Sequence, residues 1–91
     1  MSEIQAIVAA PRARFMALAD EVAEAYHIDR ADLLGDQRAR LWSDARQHLY
    51  LLAKERFGWS TTRIGQMVNR DHTTVVHGIQ QARARIAREA P

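Results

Sequence analysis

Cysteine is missing from this chain of 91 residues. Its absence excludes disulfides and thiolate metal sites and suits a reducing cytosol. The N-terminus has no basic region followed by a long apolar run, so it does not read as a secretory signal. No apolar stretch is long enough to span a bilayer. Strand alternation, internal repeats and a linker are also lacking, which leaves helices as the building material. Lysine occurs once, as Lys54. What is present fits one small domain with a single core: 47% of the residues are apolar or aromatic, enough for a packed globule rather than a disordered chain.

The net charge is only +2, but it is unevenly spread. Residues 1–36 hold seven acids (Glu3, Asp20, Glu21, Glu24, Asp29, Asp32, Asp36) and three arginines. Residues 37–91 hold ten basic residues and four acids. The C-terminal part can therefore face a polyanion while the N-terminal part faces away. Ordinary solvated surface on both parts is the plain alternative.

The helices can be placed from the pattern of residues. Pro11 suits a first helical turn, and Phe15, Leu18, Val22 and Tyr26 recur at helical spacing, predicting a helix over 12–26 behind a short N-terminal extension, 1–11. Ile28 to Leu34 reads as a turn or short helix, with Asp29 as N-cap and Gly35 as stop. A loop from Asp36 to Leu41 follows, carrying Arg38 and Arg40. Alternate basic residues in a loop suit a phosphate or a minor groove, or are simply solvated. Ser43 reads as the N-cap of a helix over 44–57 that buries Ala45, Leu49, Leu52 and Ala53 and ends at Gly58. Ser60 caps a short helix over 61–68, and Trp59 with Ile64 has the spacing of a hydrophobic staple. Ile64, Met67 and Val68 face inward, and Gly65 allows close helix approach. Asn69-Arg70 makes a tight turn, and Asp71 caps a last helix that runs to about Arg88.

That last helix has two unlike faces. A helix turns about 100° per residue. With Val75 at the centre, Ile79, Ala82 and Ile86 fall beside it, whereas Thr73, His77, Gln80 and Ala84 fall opposite. One face fits a core, and the other is a row of hydrogen-bonding groups fit for a major groove, where base edges present distinct donor and acceptor patterns. A short helix, a tight turn and a longer helix with a polar face form a helix-turn-helix. Asp71 is a good N-cap with or without DNA. Arg70 reads as a phosphate clamp or as one half of a surface ion pair. His72 and His77 are five apart, poor spacing for shared metal ligation, so no metal is expected.

Arg70-Asp71-His72-Thr73-Thr74-Val75-Val76-His77 resembles the hallmark of the C-terminal DNA-binding domain of the bacterial replication initiator DnaA. Val22-Ala23-Glu24-Ala25-Tyr26, Ala31-Asp32-Leu33-Leu34, Arg46-Gln47, Leu52-Ala53-Lys54-Glu55 and Ile64-Gly65 occur in the family's order. The resemblance runs from about Ala19 to Ile86. It implies an all-α fold, a small helical bundle of the Trp-repressor-like kind, that reads an asymmetric duplex site, the DnaA box. It implies base contacts from Asp71, His72 and Thr73 in the major groove, support from Thr74, and a minor-groove arginine at Arg38. For the DNA backbone it implies Arg40, Arg46, Gln47, Lys54, Ser60, Thr61, Arg70 and His77. Three features depart from the family. The turn before Arg70 is one residue shorter, with Asn69 where paired glycines are frequent. Asp44 and Ala45 stand where a basic residue and a proline are frequent. Thr61-Thr62 replaces a frequent apolar-proline pair.

The full initiator of that family carries an ATPase module, and these residues hold no Gly-x-x-x-x-Gly-Lys segment. Paired catalytic carboxylates and a nucleophile motif are lacking too, so no enzyme activity and no cofactor are expected. The expected function is duplex binding at DnaA-box-like sites, regulating replication initiation or transcription from the cytoplasm, in association with the nucleoid. The alternative is an adaptor that uses the same fold to bind the initiator or another replication protein, with its acidic first helix as a docking face.

Overall fold

The computed structural model describes residues 3–36 and 39–90, with side chains from residue 11 onward. Five helices follow in order: α1 Glu3–Tyr26, α2 Arg30–Leu33, α3 Arg40–Phe57, α4 Thr61–Val68 and α5 His72–Glu89. α3 is the central strut. It packs on α1 along one side and on α5 along another, and touches α2 and α4 at its two ends. Being surrounded, it buries more than one stripe: Ala45, Leu49, Tyr50, Leu51 and Ala53 are all in the core. Leu52, expected inside, is only partly buried, and Tyr50 and Leu51 take the positions that a single-stripe reading misses.

Two helix starts differ from expectation. α1 begins at Glu3, so Pro11 lies inside the helix rather than in its first turn. The residues before it include Ala6, Ala9 and Ala10, the best helix formers, and they extend the helix despite the one amide that proline cannot donate. α3 begins at Arg40 with Ala39 as N-cap, so Arg40 and Leu41 are helical and not loop. Ser43 is not a cap, because its own amide donates to Ala39 O at 3.1 Å inside the helix. Arg and Leu favour helix strongly enough to carry it one turn further back.

Several helix ends behave as read. Gly58 closes α3 with φ 69°, a left-handed position that favours glycine. Ser60 caps α4 by accepting from the Arg63 amide at 3.1 Å. Asp29 occupies the N-cap of α2 without a side-chain cap bond, and Leu34 rather than Gly35 is the C-cap.

Trp59 organises one end of the core. Its ring stacks on Phe15 of α1 at 5.9 Å and 15°, and meets Phe57 at 5.0 Å. The expected staple partner, Ile64, is buried in the same cluster, but the stacked partner is Phe15, so the tryptophan joins the first helix to the α3–α4 corner. At the opposite end the apolar stripe outruns its cover. Ile86, expected in the core, is 42% exposed, and Leu41 at the start of α3 is 48% exposed.

The α1–α3 joint carries a titratable pair. Tyr26 Oη and His48 Nδ1 lie 3.1 Å apart, with the rings edge to face. Burial lowers the His48 pKa, and Arg85 lowers it further, against the opposing pull of Glu55 and Glu89. The folded imidazole thus refuses a proton that the unfolded chain accepts below about pH 6.5. Stability must fall as pH drops from there toward the folded pKa, then level off. Denaturant titrations between pH 5 and 8 should show this loss in the wild type and a smaller one in His48→Gln.

Candidate nucleic-acid interface

The interface is built on the turn between α4 and α5. Asn69 ends α4 in the left-handed conformation at φ 57°. The Arg70 amide then reaches back to Gly65 O at 2.9 Å. A Cβ at position 65 would lie 2.6 Å from Arg70 O and 3.4 Å from the His72 amide nitrogen, so only glycine lets α4 and the turn come this close. Asp71 starts α5: its Oδ1 accepts from the Thr73 amide at 2.8 Å and from the Thr73 hydroxyl at 2.7 Å. The Thr73 hydroxyl, then its amide, holds the Asp71 carboxyl below its ordinary pKa. His72 Nδ1 lies 3.4 Å from the same carboxylate oxygen.

From this start α5 presents the two faces that its sequence predicts. Val75, Ile79 and Ala82 are buried, whereas His72, Thr73, Thr74, His77 and Gln80 are exposed. The helix lies close against α3 because position 78 has no side chain. A Cβ there would sit 2.9 Å from Tyr50 Cδ2 and 3.3 Å from Gln47 Cγ. Tyr50 is buried, which raises the pKa of its phenol against the opposing pull of Arg70 and Arg46.

Three arginines hold the framework. Arg70 Nη2 donates to Gly35 O at 3.0 Å and to Asp36 Oδ1 at 2.8 Å, and Nη1 donates to Asn69 O at 3.2 Å. It straps the recognition turn to the base of the α2–α3 loop. Arg46 donates from Nε to Leu33 O at 2.8 Å and from Nη2 to Asp32 O at 3.0 Å, tying α3 to the end of α2. Desolvation lowers its pKa. Arg85 donates to Gln47 Oε1 at 2.9 Å, to Asp44 Oδ1 at 3.3 Å and to Asp44 O at 3.1 Å, locking the end of α5 to the start of α3. Asp44, where the family often has a basic residue, thus serves an internal ion pair.

The predicted site residues fall into connected grooves. Arg46, Gln47, Arg70, Thr73, Thr74 and His77 line one groove between α3 and α5, together with Ser43, Tyr50 and Gly78. Arg70, Asp71 and His72 line a second, with Thr62, Gly65, Gln66 and Asn69 of the α4 side. Arg40 lines a third, further along α3 and α5. Ser60 and Thr61 stand at the start of α4 and Lys54 in the last turn of α3, outside these grooves. Arg38 lies outside the described residues. Sequence reasoning missed Thr62, Gln66 and Asn69, although their i, i+4, i+7 spacing is itself a polar stripe. It missed the groove role of Ser43 because serine so often marks a cap.

The model of the bacterial dnaA protein helix-turn-helix matches residues 15–82. The chain belongs to that family. The DnaA helix-turn-helix is a DNA-binding fold and not a catalytic one. Among curated relatives, the chromosomal replication initiator protein DnaA of Neisseria meningitidis (serogroup C) is 42% identical over 73 residues, covering 79% of this chain and 14% of the relative. That of Lactococcus lactis subsp. cremoris is 41% identical over 63 residues, 68% of this chain and again 14% of the relative. This DnaA-like chain therefore spans a small part of the initiators it matches. No solved structure matches it. Among the described residues no helix is long and apolar enough to cross a membrane.

Two outcomes test the turn. Gly65→Ala gains about 1 kcal/mol of helix propensity but must displace backbone, so overpacking of about 1–3 kcal/mol should leave it less stable by thermal denaturation. Asp71→Ala should speed hydrogen exchange at the Thr73 amide. Because the Asp71 carboxyl is lowered, the wild type should keep that protection above the ordinary carboxylate range and lose it as pH falls through the folded pKa.

Proposed function

We propose that the chain binds double-stranded DNA sequence-specifically at DnaA-box-like sites, and regulates replication initiation or transcription with no ATPase segment in these 91 residues. The observation that carries this is the exposed set His72, Thr73, Thr74 and His77 at the start of a helix whose opposite face is buried at Val75, Ile79 and Ala82. In the major groove His72 offers ring nitrogens to base edges, and Thr73 and Thr74 offer methyls to thymine. The Thr73 hydroxyl proton is already held by Asp71, so the methyl and the oxygen lone pairs remain for the base. Asp71, an acceptor only, contacts a base by accepting from an exocyclic amine such as cytosine N4. Arg38 and Arg40 grip the adjacent strand, Arg38 through the minor groove. Gln47, Lys54, Ser60, Thr61 and His77 hold phosphates, as do Arg46 and Arg70 from the wall of the groove between α3 and α5. Occupying boxes that an initiator uses, the chain competes with it or recruits a partner to it.

The adaptor reading has less behind it. Two of the acids on α1 are matched within the chain, Asp20 by Arg30 at 3.3 Å and Glu21 by Arg56 at 2.8 Å.

Titrations on a duplex selected from a random pool and on a scrambled duplex, at several salt concentrations, separate the two kinds of contact. His72→Ala should lose about 1–3 kcal/mol on the selected duplex and little on the scrambled one. Lys54→Ala should weaken both alike and reduce the salt slope by about one unit. Equal losses for His72→Ala on both duplexes would remove base reading by that residue.

A further inference from the structure

The groove that holds Thr74 and His77 does not end there. It shares Ser43 and Gln47 with the groove further along, which Arg40, Gln81, Arg85 and Arg88 also line. In that extension the charges sort themselves. Arg85 is only 16% exposed and is consumed by Asp44 and Gln47, so the one acid of the groove is neutralised from within. Arg40 and Arg88 are exposed and have no hydrogen bond or ion pair among the described residues. Glu89, the acid next to Arg88, is not among the residues that line this groove. The groove thus carries two uncommitted guanidinium groups together with a neutral hydroxyl (Ser43) and a neutral amide (Gln81). Planar forks and neutral donors suit phosphate oxygens.

We propose that Arg88 and Gln81, with Ser43, carry the phosphate grip of Arg40 on into a second backbone contact on the duplex, outside the base pairs that α5 reads. This rests on the DNA-binding reading above and extends its footprint. At 1.5 Å per residue, Arg88 lies about 21 Å along α5 from Thr74, so the contact falls within roughly six base-pair steps of the read bases at 3.4 Å per step. Arg40 links the two ends, because it stands next to the α2–α3 loop and also lines the extension. The site reads no sequence. It lengthens the stretch of duplex that the protein holds.

The test compares two duplexes: one trimmed to the selected box, the other extended by eight base pairs of unrelated sequence at each end. The wild type should bind the extended duplex several-fold more tightly at low salt, with a log K against log salt slope steeper by about one unit. Arg88→Gln should remove about that unit on the extended duplex and leave the trimmed one unchanged, whereas Arg40→Gln, which also loses the grip beside the read bases, should weaken both. Gln81→Glu should weaken only the extended duplex. Wild-type helicity by circular dichroism confirms that each variant is folded. If the wild type selects its box but binds both lengths equally, the second contact is wrong and the DNA reading stands. If Arg88→Gln weakens both lengths alike, the groove belongs to the read site and the proposal fails. If the wild type binds neither duplex, both fall.

Discussion

The closeness of α4 to the start of α5 is the constraint on which the interface depends. Because a Cβ at position 65 would lie only 2.6 Å from Arg70 O, Gly65 lets α4 meet the turn into α5 through backbone, not through side chains. That contact sets how far Asp71 stands from α4, and Asp71 in turn sets the direction in which Thr73 leaves the helix. Gly78 does the same work one and a half turns later, letting α5 lie on Tyr50. The recognition face is therefore aimed by two places where side chains are missing. Its own groups add nothing to its aim except through the cap.

Much of this was legible in the chain. The buried positions of α5 through Ala82, the caps Ser60 and Asp71 and the stop at Gly58 all follow from local chemistry that a sequence displays directly. What was not legible is what depends on distance along the chain. Nothing local announces that Arg70 will reach Gly35 and Asp36, thirty-five and thirty-four residues away. Nothing announces that Gln47 and Asp44 will be taken by Arg85. Serine at 43 advertises a cap, and a helix that starts earlier simply overrides it. Ile86 keeps the helical stripe in register, but the bundle has no element left to cover it.

The site reading meets the same boundary. Exposure along α5 follows periodicity, so Thr73, His77 and Gln80 could be set opposite the core from the sequence, while His72 and Thr74 entered through the family resemblance. The polar residues of α4 facing them, Thr62 and Gln66, had an equally regular spacing, but their relevance appears only once the two helices are seen to share a groove.

The framework arginines carry a further implication. Arg46, Arg70 and Arg85 each bridge two or more oxygens from different parts of the chain. A lysine ammonium, compact and borne on a flexible stem, lacks the planar fork for such bridging. Of thirteen basic residues, all but Lys54 are arginine. Several of them act as rivets: their charge still adds to the field that an approaching polyanion meets, but many of their donors are already spent within the fold. What an incoming strand encounters is set by the few guanidinium groups the fold has left uncommitted.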